Sequence, residues 1–248
     1  MRNIITKRLL LVSILFFCVA MSAQTLQPRH VNTKGTEFWV VFMKNSTFQT
    51  NTELELNLIA TAEKNSCNVV VSNPNTNWSK SQRLGVVGRQ QNVLVDINEG
   101  YVTTPLNVGQ NIGLKVTATD TISLYAFNFG NASSDVACIL PVDLLGNYYI
   151  LQSYAPDDSH NEFAILATED AIVEITPSVD LNAGTITYDA GSTYTVSLKE
   201  GQTLFLTADF KSGILGDISG TKIRTQNCEK IAVFCGDADI QIPTSTTH

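Results

Sequence analysis

Residues 164–170 (AILATED) and 172–177 (IVEITP) repeat a pattern that occurs earlier in the chain as residues 58–63 (LIATAE) and 68–74 (NVVVSNP). In both copies an Ala-Thr pair and a glutamate close the first apolar run, and a proline closes the second. Short runs of apolar and alternating residues that end at turn residues are typical of β-strands. This stretch therefore predicts a β-hairpin that the chain contains twice.

Two further blocks recur in the same order. Residues 93–100 match residues 194–201, and both end in Glu-Gly. Residues 113–127 match residues 220–234, and both begin with Gly-x-Lys. Matched blocks in a fixed order indicate a duplicated unit. We expect an all-β fold of two tandem β-sandwich-like units that arose by internal duplication and pack closely together.

The same pattern gives the domain boundaries. We expect a signal peptide at residues 1–23, a first β unit with an N-terminal strand at 24–130, a connecting segment at 131–161 and a second β unit at 162–248. Because the connecting segment lacks the Gly/Ser-rich or Pro-rich composition of a free linker, we expect the two units to form one compact module.

The predicted strands are short and rich in Val, Ile, Thr and Tyr, which suit a pleated, half-buried surface. One helical turn is expected within residues 141–146, and no longer stretch has the 3.6-residue periodicity of a helix. The predicted strands are residues 37–43, 54–62, 68–72, 92–97, 114–119, 122–129, 148–154, 163–168, 172–176, 185–188, 194–198, 203–207, 222–225 and 231–235.

The N-terminus has the pattern of a secretory signal peptide. Basic residues within 2–8 precede an uncharged apolar stretch at 9–19, and small residues follow up to Ala23. The apolar stretch is shorter than the roughly 20 residues that span a bilayer. Cleavage after Ala23, or alternatively after Ala20, predicts a secreted or cell-surface protein that is not inserted in the membrane.

The charge balance is acidic. The chain has 16 Lys and Arg against 23 Asp and Glu, a formal net charge of −7. A nucleic-acid partner would require clustered basic residues, whereas the cations here are scattered among acids. The 44% of apolar residues excludes a disordered chain. We therefore expect no nucleic-acid partner.

Four cysteines remain after residue 23: Cys67, Cys138, Cys228 and Cys235. An even number in an exported chain permits disulfides, with three connectivities that the sequence leaves open. The favoured interpretation is packing, because Cys138 and Cys235 lie in apolar runs and a free cysteine behaves as a small hydrophobe. Cys-x-x-Cys is absent from the sequence, so we expect no metal site.

Matching stretches along most of the chain are residues 35–42 (GTEFWVVF), 133–135 with 140–141, 162–170 with 175–177, and 215–222 with 232–234. In this order they resemble the IgGFc-binding protein N-terminal domain family, a group of exported β-rich domains. The resemblance implies a binding or adhesive module without catalysis. Members usually continue into a Cys-rich segment, so we expect either a shortened member or a fragment of a longer protein.

The candidate ligand-binding residues are Trp78, Asn77 and Tyr101. Trp78 lies in an Asn-rich loop, where an aromatic ring stacks on a sugar or anchors a protein partner. The alternative is that Trp78 packs over its own hairpin. Trp39, between two apolar neighbours, is expected in the core.

Asp157, Asp158, His160 and Glu162 form the densest ionisable cluster. Carboxylates near an imidazole suit metal ligation or acid–base catalysis. The favoured interpretation is a solvated loop between the units, because the cluster has one histidine and no nucleophile or metal motif. We accordingly expect no catalytic residue, no metal and no cofactor.

Three functional hypotheses remain. The leading one is an exported, non-catalytic binding or adhesion domain that recognises a host or matrix protein or glycoprotein at a bacterial surface. The others are a structural or assembly module of a larger cell-envelope protein and a secreted glycan hydrolase with paired carboxylates. An unprotected edge at residues 231–235 would also allow a homodimer through paired edge strands.

Overall fold

The computed structural model describes residues 32–45, 54–130, 134–155, 159–209 and 216–238. The predicted signal peptide lies outside these ranges. The elements are β1 (Gly35–Val40), β2 (Glu55–Ala62), β3 (Cys67–Ser72), β4 (Ser79–Leu84), β5 (Gln90–Val95), helix α1 (Ile97–Gly100), β6 (Leu114–Phe129), β7 (Ser134–Cys138), a 3-10 turn (Val142–Leu144), β8 (Tyr148–Ile150), β9 (Asn161–Ala167), β10 (Ala171–Thr176), β11 (Leu181–Asn182), β12 (Thr187–Tyr188), β13 (Tyr194–Leu198), β14 (Thr203–Ala208), β15 (Lys222–Thr225) and β16 (Ile231–Asp237).

Strands β1 to β7 form one antiparallel sheet centred on β6, which is 16 residues long. The first part of β6 pairs with β1 and β3, and its second part pairs with β2 and β7. Strand β4 lies beyond β3, and β5 lies beyond β2. Apolar side chains from both parts of this sheet enclose one core.

Strands β8 to β16 form two antiparallel sheets, in the orders β13-β10-β15-β8 and β12-β11-β14-β9-β16. Phe163 and Leu206 of the five-stranded sheet share a buried core with Ile175 and Ile223 of the four-stranded sheet. Two sheets that face each other across one core form a β-sandwich. The three antiparallel sheets confirm the all-β fold expected from the sequence.

The pairing scheme of the first sheet recurs among the later strands. Strand β2 pairs with the second part of β6 as β9 pairs with β16, and β3 pairs with the first part of β6 as β10 pairs with β15. The match of residues 93–100 with 194–201 is wrong as a structural equivalence, because β5 pairs with β2 whereas β13 pairs with β10. Descent of both parts from one duplicated unit stays a prediction.

The local structure differs from the sequence prediction at a few places. The expected strands at 114–119 and 122–129 are one continuous strand, β6. The sequence missed β4 and β7, which lie at sheet edges and are largely exposed, so neither carries a clear buried face. The expected helical turn is the 3-10 turn Val142–Leu144.

The segment 131–161, which we expected to connect two units, contributes strands on both sides. Strand β7 pairs with β6 of the first sheet, and β8 pairs with β15 of the four-stranded sheet. The polypeptide thus passes from one core to the other through paired strands.

Strand β1 has two buried faces. Phe38 and Val40 point into the first core, whereas Trp39 and Val41 belong to a cluster with Phe205 of β14. Alternate residues of a strand point to opposite faces, so a strand with both faces apolar is buried on both sides. Strand β1 therefore joins the first sheet to the outer face of strands β9, β14 and β16. These strands contribute Ala164, Leu166, Phe205 and Ala232 to the cluster.

The backbones of these parts approach closely at Gly113, whose N–H donates to the carbonyl of Gly201 at 3.0 Å. A Cβ at position 113 would collide with Leu166 Cδ1 and lie 2.5 Å from the Gly201 oxygen. Position 113 therefore tolerates only glycine unless the backbone of the junction shifts.

We expect Gly113→Ala to lower the free energy of unfolding by about 1–3 kcal/mol, because the added methyl overpacks the junction. Gly85→Ala is the matched control: a Cβ there meets no atom within 4 Å, and the expected change is within about 0.5 kcal/mol. Urea unfolding at constant pH measures both. Equal effects of the two substitutions would contradict the close approach.

Candidate binding cleft

A cleft of about 590 Å³ lies between β7, β16 and the end of β1. Its volume falls within the roughly 300–1,000 Å³ of small-ligand pockets. Residues 135–140 form one wall, residues 232–237 form another, and residues 41–44 line the cleft between them. Most of the lining side chains are apolar, so a few polar groups determine what the cleft can bind.

Glu162 is the most unusual polar group of the cleft. Its side chain is 2% exposed, and Oε2 has no hydrogen-bond partner among the described residues. Burial raises the pKa of this carboxyl to about 9, because an ionised carboxylate loses its hydration there. Near neutral pH Glu162 is therefore an uncharged acid that faces an apolar cleft.

Two other polar side chains of the cleft have unsatisfied atoms. Trp39 Nε1 and Asn128 Oδ1 are buried without a partner among the described residues, although Asn128 Nδ2 donates to the Met43 carbonyl at 3.0 Å. Of the four such side-chain atoms in the described ranges, these two and Glu162 Oε2 belong to residues lining this one cleft. Buried polar groups are nearly always paired, so three unpaired atoms in residues around one cavity make this cavity the candidate binding site.

The ionisable groups around Glu162 have opposite effects on its pKa. Lys44 lowers the pKa of Glu162 and Asp237 raises it, but burial outweighs both. His160 Nε2 lies 3.9 Å from Glu162 Oε2, and burial, followed by the charge of Lys44, lowers the pKa of His160. Neutral imidazole beside neutral carboxyl is the expected state near pH 7.

Asp237 is held in place by Asn161, a fully buried residue. Asn161 Nδ2 donates to Asp237 Oδ2 at 2.8 Å and to the Tyr154 carbonyl at 3.1 Å, and Asn161 Oδ1 accepts from the N–H of Ile218. This network fixes a carboxylate at the end of the β16 wall.

The predicted cluster of four ionisable residues is only partly within the described residues. Asp157 and Asp158 lie outside them. His160 lies beside Glu162, which lines the cleft. Glu162 is buried in β9, so the solvated-loop interpretation is wrong for it. This burial could not be predicted from the sequence, because Glu162 directly precedes the apolar run 163–167 and such a position is usually exposed.

Trp78 and Asn77 lie away from the cleft walls. Trp78 is half-buried against the first core, and Lys80 Nζ lies 5.8 Å from its ring centroid. Asn77 is exposed in the turn between β3 and β4. Neighbouring Asn75 donates to the Glu200 carbonyl at 3.1 Å, so this loop also helps to join the two parts of the chain.

Tyr101 is half-buried, and its hydroxyl accepts from the N–H of Asn45 at 2.8 Å. Burial raises the pKa of Tyr101, with a smaller contribution from the charge of Glu162. This phenol therefore holds the chain that follows β1, next to the cleft. A contact between Tyr101 and a ligand stays a prediction.

The four cysteines of the described residues are all free. Cys67 is buried as expected for packing, but Cys138, Cys228 and Cys235 are exposed, so the packing interpretation is wrong for Cys138 and Cys235. Both lie on edge strands that line the cleft. An apolar run at a sheet edge leaves side chains in contact with solvent, which an apolar pattern does not reveal.

Within the described ranges, no group of three or more His, Cys, Asp or Glu side chains is arranged to hold a metal ion. Among the helices of these ranges, none has the length and apolar character needed to cross a membrane.

Fold and cleft together define an all-β protein with an apolar, acid-lined binding cleft. The model of the IgGFc binding protein family matches residues 135–248. The match confirms the resemblance found in the sequence over this stretch, which includes both strand walls of the cleft and Glu162, and it indicates a binding role. No curated protein matches the chain, and no solved structure matches it.

The raised pKa of Glu162 has a consequence for stability. The folded chain keeps this proton up to about pH 9, whereas the unfolded chain loses it near 4.5. Between these values the folded state binds one more proton, so the stability contributed by Glu162 falls as pH rises.

We expect the wild-type chain to lose about 2–3 kcal/mol more stability than Glu162→Gln between pH 5.5 and 8, since each pH unit is worth up to about 1.4 kcal/mol. All other ionisable residues are the same in both proteins, so the difference between the two profiles reports on Glu162. Denaturant unfolding across this pH range measures the difference. Exposed Glu55→Gln is the control, and a wild-type profile parallel to that of Glu162→Gln would exclude a buried proton.

Proposed function

We propose that the chain is an exported, non-catalytic binding domain that recognises a protein or glycoprotein ligand, with the cleft between β7 and β16 as its recognition site. The observation that carries the proposal is the set of three unpartnered polar atoms around an apolar cavity. Export rests on the signal-peptide pattern of residues 1–23, and adhesion at a cell surface rests on the family resemblance.

The cleft suits recognition better than another cavity of the described residues. That cavity, of about 510 Å³, lies beside residues 107–109 and β13 and is more open. None of the buried unpartnered atoms of the described residues lies in its lining. A ligand in the β7–β16 cleft would pair groups that are now unsatisfied, which makes binding there more favourable.

A binding screen tests the proposal. The purified chain is tested against immobilised immunoglobulins, mucins, matrix proteins and glycans. We expect a saturable hit that Val136→Lys weakens at least ~10-fold, because the substitution puts a long charged side chain into the apolar cleft, at a cost of roughly 1.4 kcal/mol or more. Val136 is 62% exposed, so its replacement leaves the fold intact.

Val87→Lys is the matched control, because Val87 is also an exposed valine, at 46%, but lies outside the cleft. Trp78→Ala is tested in the same binding measurement. Loss of binding in Trp78→Ala, with Val136→Lys unaffected, would place the ligand on the Asn-rich loop instead of the cleft. If the folded wild-type chain binds nothing in the whole screen, a structural or assembly module would be favoured.

The neutral carboxyl of Glu162 also favours one alternative, a glycan hydrolase, since a general acid must hold a proton near neutral pH. Release of reducing sugar from polysaccharides by the wild type, abolished in Glu162→Gln, would establish this alternative. We expect no turnover by either protein.

A further inference from the structure

We infer that the cleft receives an extended peptide segment of a partner protein as an added β-strand, with a Lys or Arg side chain of that segment directed at Glu162. The inference rests on the proposed function and specifies the chemistry of its ligand. Four features of the described residues carry it: the course of the cleft, the free strand edges, the charges and the size.

The cleft runs along strand edges. Six consecutive residues of the β7 wall, 135–140, and six of the β16 wall, 232–237, line it. Successive side chains of a strand point to opposite faces, so a cavity against one face would touch alternate residues. Contact with every residue places the cavity beside the backbone edge of each strand.

The edge of β7 offers unpaired backbone groups. The N–H of Ile139 donates to the Leu124 carbonyl at 2.9 Å, toward β6. In an antiparallel pair, the backbone N–H and C=O groups of successive residues point alternately toward the partner strand and away from it. Val136 and Cys138 therefore direct these groups away from β6. Within the described ranges no group hydrogen-bonds to them.

The edge of β16 also offers unpaired backbone groups. Ile231 donates to the Gly146 carbonyl and accepts from the Tyr149 hydroxyl at 2.7 Å, both on the side away from β9. By the same alternation, Val233 and Cys235 direct their backbone groups to that side. These groups have no partner among the described residues, so an inserted strand would find donors and acceptors on both walls.

The charges select a basic side chain. The carboxyl-bearing residues of the lining are Glu162, Asp135 and Asp237, against the single ammonium of Lys44. Glu162 is an unpaired acid in an apolar setting, and an ammonium or guanidinium beside it would favour its ionised form and form a charge-assisted hydrogen bond. The proton displaced from Glu162 would pass to solvent.

The size favours a single strand over a second copy of the chain. A cavity of about 590 Å³ with walls on two sides holds a few residues in extended form, at about 3.3 Å per residue. A second copy could offer its edge strand only together with the neighbouring strand of its sheet. An isolated segment of a partner protein satisfies both walls.

The test uses four mixtures of acetylated and amidated six-residue peptides, in which one central position is Lys, Arg, Glu or norleucine and the others are randomised. Binding to the purified chain is measured at pH 7 by calorimetry in two buffers of different ionisation enthalpy. We expect the Lys and Arg mixtures to bind at least ~10-fold more tightly than the norleucine mixture, with release of up to one proton per peptide.

Glu162→Gln should reduce this preference to below ~3-fold and abolish the proton release, because glutamine holds no titrating proton. Cys138→Pro, which removes an outward N–H at an edge position that tolerates proline, should weaken all four mixtures. The variant Val87→Lys should bind as the wild type does. An unchanged preference in Glu162→Gln, or binding without proton release, would overturn the assignment of Glu162.

Failure of the inference and failure of the proposed function give different results. A ligand from the screen that still binds Glu162→Gln and Cys138→Pro at wild-type affinity overturns the inserted strand but leaves the binding function. A concentration-dependent dimer, seen by sedimentation and dissociated by Cys138→Pro, would make a second copy the occupant and overturn the partner peptide. Absence of binding to every mixture overturns the inference.

Discussion

The burial of β1 on both faces is the constraint on which the rest of the structure depends. Phe38 and Val40 complete the first core, and Trp39 and Val41 pack on the outer face of the strands that close the second. A strand that serves two cores cannot shift by one residue without exchanging its faces, so its register also fixes how the sheets meet. The close approach of Gly113 to Gly201 is part of the same junction.

The cleft follows from this arrangement. Residues 41–44, which follow β1, lie beside β7 at the edge of the first sheet and β16 at the edge of the five-stranded sheet, and together they surround one space. Asn128, Trp39 and Glu162 line this space, and each carries a buried polar atom without a partner among the described residues. Polar groups buried without partners reduce stability, so a ligand that pairs them would gain affinity.

Much of the fold could be predicted from the sequence, because buried strands such as β2, β9 and β10 carry apolar patterns that a single chain shows directly. The edge strands β4 and β7 could not, because most of their side chains are exposed and neither sequence shows a clear buried face. The cleft was beyond prediction for the same reason. Glu162 and His160 were recognised as a cluster, but Asn128, Trp39 and Asp237 join them only through the packing of β6, β1 and β16.

The central claim is that Glu162 is a neutral acid in a cleft prepared for a ligand. The most direct measurement is the carboxyl carbon resonance of Glu162, identified by its loss in Glu162→Gln, followed by ¹³C NMR as pH is varied. The account predicts a protonated carboxyl at pH 7 and a pKa of about 9. Titration near the ordinary value of 4.5 would show a hydrated, ionised side chain and would contradict it.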